Sequence, residues 1–191
     1  MRSSILFITA YIIGSVNFSI LLFKILGKGD PRDSFSGNAG VVNVYRQAGY
    51  FLATIILVLD IARSMGVAVM AQFLLPAEMV PWCGLGLILG NSFPCFHHFM
   101  GGKGVANYLG FTFVVSPVWA GISMAAWIVA YMLFKLPFIA SFLMLFILAL
   151  GTAITGNFSF VHITGVTITL LLIVYNHRRN INEFMEARRK Y

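Results

Sequence analysis

The chain is poor in charge, and poorest in acid. Of its 191 residues 10% are charged, and only six are aspartate or glutamate against 13 lysines and arginines. Soluble domains carry roughly a quarter charged residues, so this chain does not cover a water-facing surface. With 59% hydrophobic residues and a mean hydropathy of +0.88, it reads as an integral membrane protein. The formal charge of +7 then points to positive-inside topology and an anionic partner, not to nucleic acid. Cysteine is scarce too. Cys83 and Cys95 lie in apolar surroundings without metal-ligand spacing and read as packing residues. Internal repeats and low-complexity linkers are absent, and the length suits one compact bundle, so residues 1–191 are expected to form a single transmembrane domain. Arg2 precedes an apolar run from Ile5 to Leu22 without a small-residue cleavage site leading into a polar region, which reads as a retained first span.

A span needs roughly 20 apolar residues to cross about 30 Å of hydrocarbon. Residues 4–25, 50–75, 80–96, 117–134, 137–154 and 160–175 qualify as candidates. Residues 105–115 reach only about 17 Å, so they are a short helix in a thinned or protein-lined region, or a re-entrant half-span. Charge arbitrates. If 105–115 crosses, Lys24, Lys28, Arg32, Arg46, Lys103, Lys135, Arg178, Arg179, Arg188, Arg189 and Lys190 all fall inside, with Arg2 outside and Arg63 within a span. If it does not, Lys135 and the basic tail move outside, against the positive-inside rule. The expected fold is therefore an all-α bundle of about seven transmembrane helices, one of them short. Three polar segments (27–46, 97–104 and 177–191) collect on the cytoplasmic side of that topology, and the expected chemistry lies there.

The first segment reads "GDPRDSFSGNAGVVNVYRQAG". Gly37 and Gly40 are candidates for positive φ, which turns successive N–H groups into an anion nest. Ser36, Asn38 and Asn43 add neutral hydrogen-bonding groups, and Arg32 and Arg46 add permanent charge. The second, "FMGGKGVAN", is not a Walker loop, since no Ser or Thr follows Lys103. A glycine turn opening a short helix nevertheless offers N–H groups, a positive dipole end and one lysine. In the third, His177 and Asn180 are three apart and share a helix face, while Arg178 and Arg179 read as inside anchors. His97 and His98 lack further ligands for a metal. Asp60 and Arg63, three apart in an apolar stretch, read as an ion pair facing the bundle interior.

Together these residues resemble the bacterial acyl-phosphate-dependent glycerol-3-phosphate acyltransferases (the PlsY type). Gly14-Ser15, Asp30-Pro31-Arg32 and "FSGNAGVVNVYR" resemble that family's first motif, "GNSFPCFHHFMGGKGVAN" its second, and His177, Asn180 and Ile181 its terminal H-x-x-N-I. The resemblance runs through the whole chain in order. It implies transfer of a fatty acyl group from acyl phosphate to the 1-hydroxyl of glycerol 3-phosphate, giving lysophosphatidic acid for phospholipid synthesis. It implies Ser36, Arg46, Lys103 and His177 as catalytic residues. Gly37, Asn38, Gly40, Asn43, Gly101, Gly102, Gly104 and Asn180 would bind substrate. An acyl phosphate is already activated, so neither a metal nor another cofactor is required, and membrane lipid is the remaining partner. Two phosphates beside His177 favour its charged form, which makes phosphate binding its expected role and general base the alternative.

The chain is a divergent member on this reading. Asn91 stands where the family has histidine, Phe35 for the first glycine of GSGN, Val42 and Asn107 for threonines, Met100 for a frequent lysine, Arg63 for a lysine and Glu183 for an arginine. The competing expectations are a different acceptor and a non-catalytic lipid-binding or transport relative. A transporter favours repeated halves with broken helices and mid-membrane polar groups, and neither is clear here.

Overall fold

The computed structural model describes residues 1–189, so Lys190 and the end of the tail lie outside the described residues. The described residues are helical in the order α1 (Arg2–Gly14), α2 (Phe18–Ile25), α3 (Val41–Leu74), α4 (Val80–Ser92), α5 (Val105–Val115), α6 (Pro117–Phe134), α7 (Pro137–Thr155), α8 (Phe160–Asn176) and α9 (Arg178–Arg189). Helix α1 packs along α4, α3 along α5, and α6 along α7. By length and hydropathy the first span, α3, α6 and α7 are long and apolar enough to cross a membrane, and α8 with α9 qualifies as a pair bent by 52°. Large apolar side chains such as Phe73, Leu133 and Phe160 point outward, as lipid-facing residues do.

Four departures from the expected elements bear on the site. The first span is broken after Gly14, and Asn17 restarts it by accepting the Ile20 N–H at 3.1 Å. Helix α3 begins in the segment expected to be loop, and Gly49 (φ 79°) separates a short helix, 41–48, from the long run 50–74. Helix α4 stops at Ser92, four residues before the expected end. The tail forms α9 instead of a plain polar segment.

The short elements sit inside protein. Asn107 through Thr112 of α5 are buried, and α3, α4, α6 and α7 wall the helix, which suits an element only about 17 Å long. Helices α1 and α4 approach through Gly86 and Gly90. A Cβ on Gly90 would stand 2.0 Å from the Tyr11 carbonyl oxygen and one on Gly86 2.7 Å from that of Phe7. Small residues four apart allow such contact where burial against lipid offers no hydrophobic gain. The Asp60–Arg63 pair faces inward at 2.8 Å, as the sequence suggests.

Candidate active site

All three polar segments meet at one end of the bundle, where α3 begins, α4 ends, α5 begins and α8 ends. The first is folded by its own side chains. Asp30 accepts the Arg32 N–H at 2.9 Å, opening a single tight turn over Pro31–Asp33. The Arg32 guanidinium then grips Asp30 at 2.5 Å and donates to the carbonyls of His97 (2.9 Å) and Met100 (2.7 Å). That hydrogen-bonded guanidinium holds the Asp30 carboxyl below the usual carboxylate range. Arg32 thus ties the first polar segment to the second.

Asn43 is buried and its amide is fully occupied. It donates to the carbonyls of Pro31 (2.7 Å) and Ser34 (3.2 Å), and its oxygen accepts the Ser36 N–H at 3.2 Å. Gly37 adopts the left-handed conformation expected of it (φ 63°). Gly40 does not. Its backbone is extended and caps α3, and its bare Cα matters because a Cβ would lie 2.8 Å from the Asn38 amide nitrogen.

The glycine turn also differs from expectation. The N–H groups of Gly101 and Gly102 donate to the carbonyls of Ser92 (3.1 Å) and Asn91 (2.9 Å). These two amides are therefore engaged, and the open donors of the region belong to the first turn of α5 beyond Gly104. Gly101 and Gly102 instead permit close approach. A Cβ on Gly101 would meet the Asn91 carbonyl oxygen at 2.0 Å, and one on Gly102 the Ala39 carbonyl oxygen at 3.0 Å. Gly104, in the left-handed region at φ 93°, turns the chain into α5.

Lys103 is held between these segments and the tail. Its ammonium donates to the Asn180 side-chain oxygen, and its carbonyl accepts the Asn176 amide at 3.3 Å. Burial lowers its pKa to about 8; Glu183 opposes that shift, while Arg46 and Arg179 add to it. Arg179 reaches across to the Ser36 carbonyl (3.3 Å), over Gly37, and pairs with Glu183 at 2.8 Å. Arg46 is exposed on the 41–48 helix.

His177 closes the cluster at the end of α8. Its ring is buried, Nδ1 contacts the Ile173 carbonyl at 2.8 Å, and Phe142 meets it edge-on. Burial pushes its pKa down to about 4, and Lys103 adds to the fall. The neutral ring donates from Nδ1 to that carbonyl, leaving the lone pair on Nε2. Such a nitrogen can accept a proton in the free enzyme, while the charged form expected from sequence is the state beside two phosphates. The low value comes from burial, which the sequence did not display.

Every expected site residue therefore lies in this one region. Sequence reasoning missed Arg179 as anything but an anchor, and missed Asn176 and Asn17 altogether. Asn17 carried a readable signal, a capping amide directly before an apolar run; Arg179 carried none.

A helical bundle with basic side chains and glycines gathered at one end defines a membrane-embedded protein with cationic groups beside apolar surface. The Glycerol-3-phosphate acyltransferase family model matches residues 4–187. Glycerol-3-phosphate acyltransferases of Methylobacillus flagellatus and Pseudomonas fluorescens are 35% and 33% identical, each over 98% of this chain and over 95% and 98% of their own length. The solved structure of PlsY, an integral membrane glycerol 3-phosphate acyltransferase, in its glycerol 3-phosphate form matches with a TM-score of 0.90 at 30% identity, over 98% of this chain and 94% of that one. Its lysophosphatidic acid form matches with a TM-score of 0.86. The chain belongs to the glycerol-3-phosphate acyltransferase family, and is an acyltransferase of the PlsY type.

Proposed function

We propose that this acyltransferase moves a fatty acyl group from acyl phosphate to the 1-hydroxyl of glycerol 3-phosphate, at the cytoplasmic face of a bacterial plasma membrane. The observation that carries the reading is the convergence of Lys103 on Asn180 and Asn176, next to His177, with Arg179 reaching the Ser36 carbonyl of the 36–40 segment that leads to Arg46. Two phosphates need cationic partners, and Lys103 and Arg46 supply them, with the first-turn amides of α5 adding donors. Asn43, Gly101 and Gly102 shape the mouth, since their polar groups are engaged within the protein. The apolar bundle holds the acyl chain while the head stays at the polar end.

The hydroxyl oxygen attacks the acyl carbonyl carbon, the carbon–oxygen bond to phosphate breaks, and inorganic phosphate leaves with the electron pair. The hydroxyl proton passes to Nε2 of His177, whose basicity the two bound phosphates raise, and then to the departing phosphate. Donors fixed at the mouth stabilise the oxyanion without reorganising. The basic loops support the inner-face assignment through the positive-inside rule.

The test is phosphate release by the purified protein in lipid nanodiscs. Acyl phosphate alone should give slow hydrolysis, and added glycerol 3-phosphate should accelerate release with formation of lysophosphatidic acid. Acceleration by another small alcohol but not by glycerol 3-phosphate would reassign the acceptor. No release with any acceptor would overturn the reading.

A further inference from the structure

A second polar cluster lies inside the bundle, centred on Arg63. Along α3 this residue is about 20 Å beyond Gly49, and its side chain is only 6% exposed. A buried ion pair needs one carboxylate, and Asp60 provides it at 2.8 Å. Arg63 does more. One guanidinium nitrogen donates to the carbonyls of Gly14 (3.2 Å) and Val16, at the break in the first span. Carbonyls at a helix end lack intrahelical partners, and a cation there is favourable. The other nitrogen also donates to the Asn107 oxygen of α5 at 2.5 Å and lies 3.5 Å from the Asn91 oxygen of α4. Ser64 shares the Asn107 oxygen at 3.0 Å, and Phe18 lies under the guanidinium.

Each contact leads on to the polar end. Asn17, beside the break, donates to the Ala39 carbonyl at 3.2 Å. The Ala39 N–H contacts the Gly101 carbonyl at 3.4 Å, and the Asn91 carbonyl accepts the Gly102 N–H at 2.9 Å. Asn107 lies three residues beyond Gly104 on the short helix that the glycine turn opens.

We propose that Arg63 is a positioning residue for the 101–104 turn: its fork locks the first-span break, the end of α4 and the start of α5 together, and so sets where Lys103 stands relative to the 36–46 segment. This rests on the reading of those two segments as phosphate sites. Only a planar fork reaches the carbonyls of the break, two side-chain amide oxygens and a carboxylate at once.

Removing Arg63 alone would leave Asp60 buried and unpaired, so the test uses Asp60→Asn with Arg63→Met. In nanodiscs this variant should keep its thermal midpoint within a few degrees, yet lose about a hundredfold in kcat, the cost of a misplacement near 1 Å. Hydrogen exchange should accelerate in peptides covering 36–44 and 91–107 and stay unchanged in α6 and α7. A folded double variant with unchanged kcat and unchanged exchange would overturn the proposal. If the double variant does not fold, Asn107→Leu removes one acceptor only, and Ser64 keeps its bond to the Asp60 carbonyl at 2.7 Å. It should fold, lose about tenfold in kcat and show faster exchange in the glycine turn. Unchanged values, or failure to fold, would reduce the network to a stability element and overturn the proposal. Exchange does not depend on which substrate binds. An active Lys103→Ala enzyme would thus refute the phosphate assignment while the exchange data still decide the role of Arg63.

Discussion

Lys103 is the residue whose perturbation tests the site most directly, because its charge is adjustable by pH. Its pKa is lowered to about 8 by burial, so in the free enzyme the ammonium is present below that pH and lost above it. At pH 9, one unit above about 8, roughly a tenth of the molecules retain the charge. If the ammonium must meet a phosphate, kcat/KM should fall about tenfold per unit above pH 8. Bound phosphate favours the ammonium, so the corresponding limb in kcat should lie at higher pH. Stability should run the other way. The folded pKa lies below the ordinary lysine value of 10.5, so the unfolded chain binds more protons between about 8 and 10.5 and this group makes the fold more stable as pH rises there. Lys103→Ala should remove the limb and cost about 2–5 kcal/mol in transition-state binding, with expression unchanged. Arg46→Ala should be similarly costly, while Arg188→Ala, on the far turn of α9, should do little. The assay is phosphate release across pH 6–10 with both substrates. A flat wild-type kcat/KM through pH 10, or a Lys103→Ala enzyme within tenfold of wild type, would refute the argument.

Three further outcomes are expected. His177→Gln should lower kcat by about a hundredfold or more with substrate constants little changed, because the buried neutral ring acts as acceptor; a variant with mainly raised substrate constants would return His177 to phosphate binding. Gly101→Ala should destabilise by about 2 kcal/mol or more, since its Cβ would stand 2.0 Å from the Asn91 carbonyl oxygen; Gly66→Ala, on α3 with open space around it, should instead stabilise by about 1 kcal/mol, both read by thermal unfolding. Single cysteines near Glu78 and near Arg189, in a cysteine-free background, should label from opposite sides of the membrane, and labelling of both from one side would refute seven crossings.

Much of this fold is legible because apolar runs and glycine or proline boundaries coincide. The limits of α5, α6 and the main part of α3 follow from residues 105–115, 117–134 and 50–75 as read from sequence. The broken first span is not legible from hydropathy. Val16 and Phe18 continue the apolar run, and only the capping by Asn17 marks the break. The site is legible as a set of residues but not as a division of labour. Sequence shows that Asn43, Gly101 and Lys103 belong together; only the fold shows that the polar groups of the first two face the protein. The ring state of His177 is equally hidden, because it depends on Phe142, Ile173 and the packing of α7 on α8.

The positions that depart from the family pattern are the harder matter, and the structure sorts them by place. Asn91, Asn107 and Arg63 meet at one guanidinium, each amide oxygen serving as its acceptor. An amide oxygen suits that fork, whereas a point-charge ammonium reaches fewer acceptors at once. These three changes therefore form one altered network and not three separate losses. Glu183 is likewise paired, with Arg179, and acts favourably on Lys103. Phe35 and Met100 are both more than half exposed, and Met100 joins the network only through its backbone, whose carbonyl accepts from Arg32. Val42 is also partly exposed, one residue before the buried Asn43. None of the seven is a direct hydrogen-bond partner of Lys103 or His177, whose partners are Asn180, Asn176 and Ile173. On the sequence reading, the departures lie in the support behind the proposed phosphate sites and on the rim around them, where change leaves the charged groups their geometry.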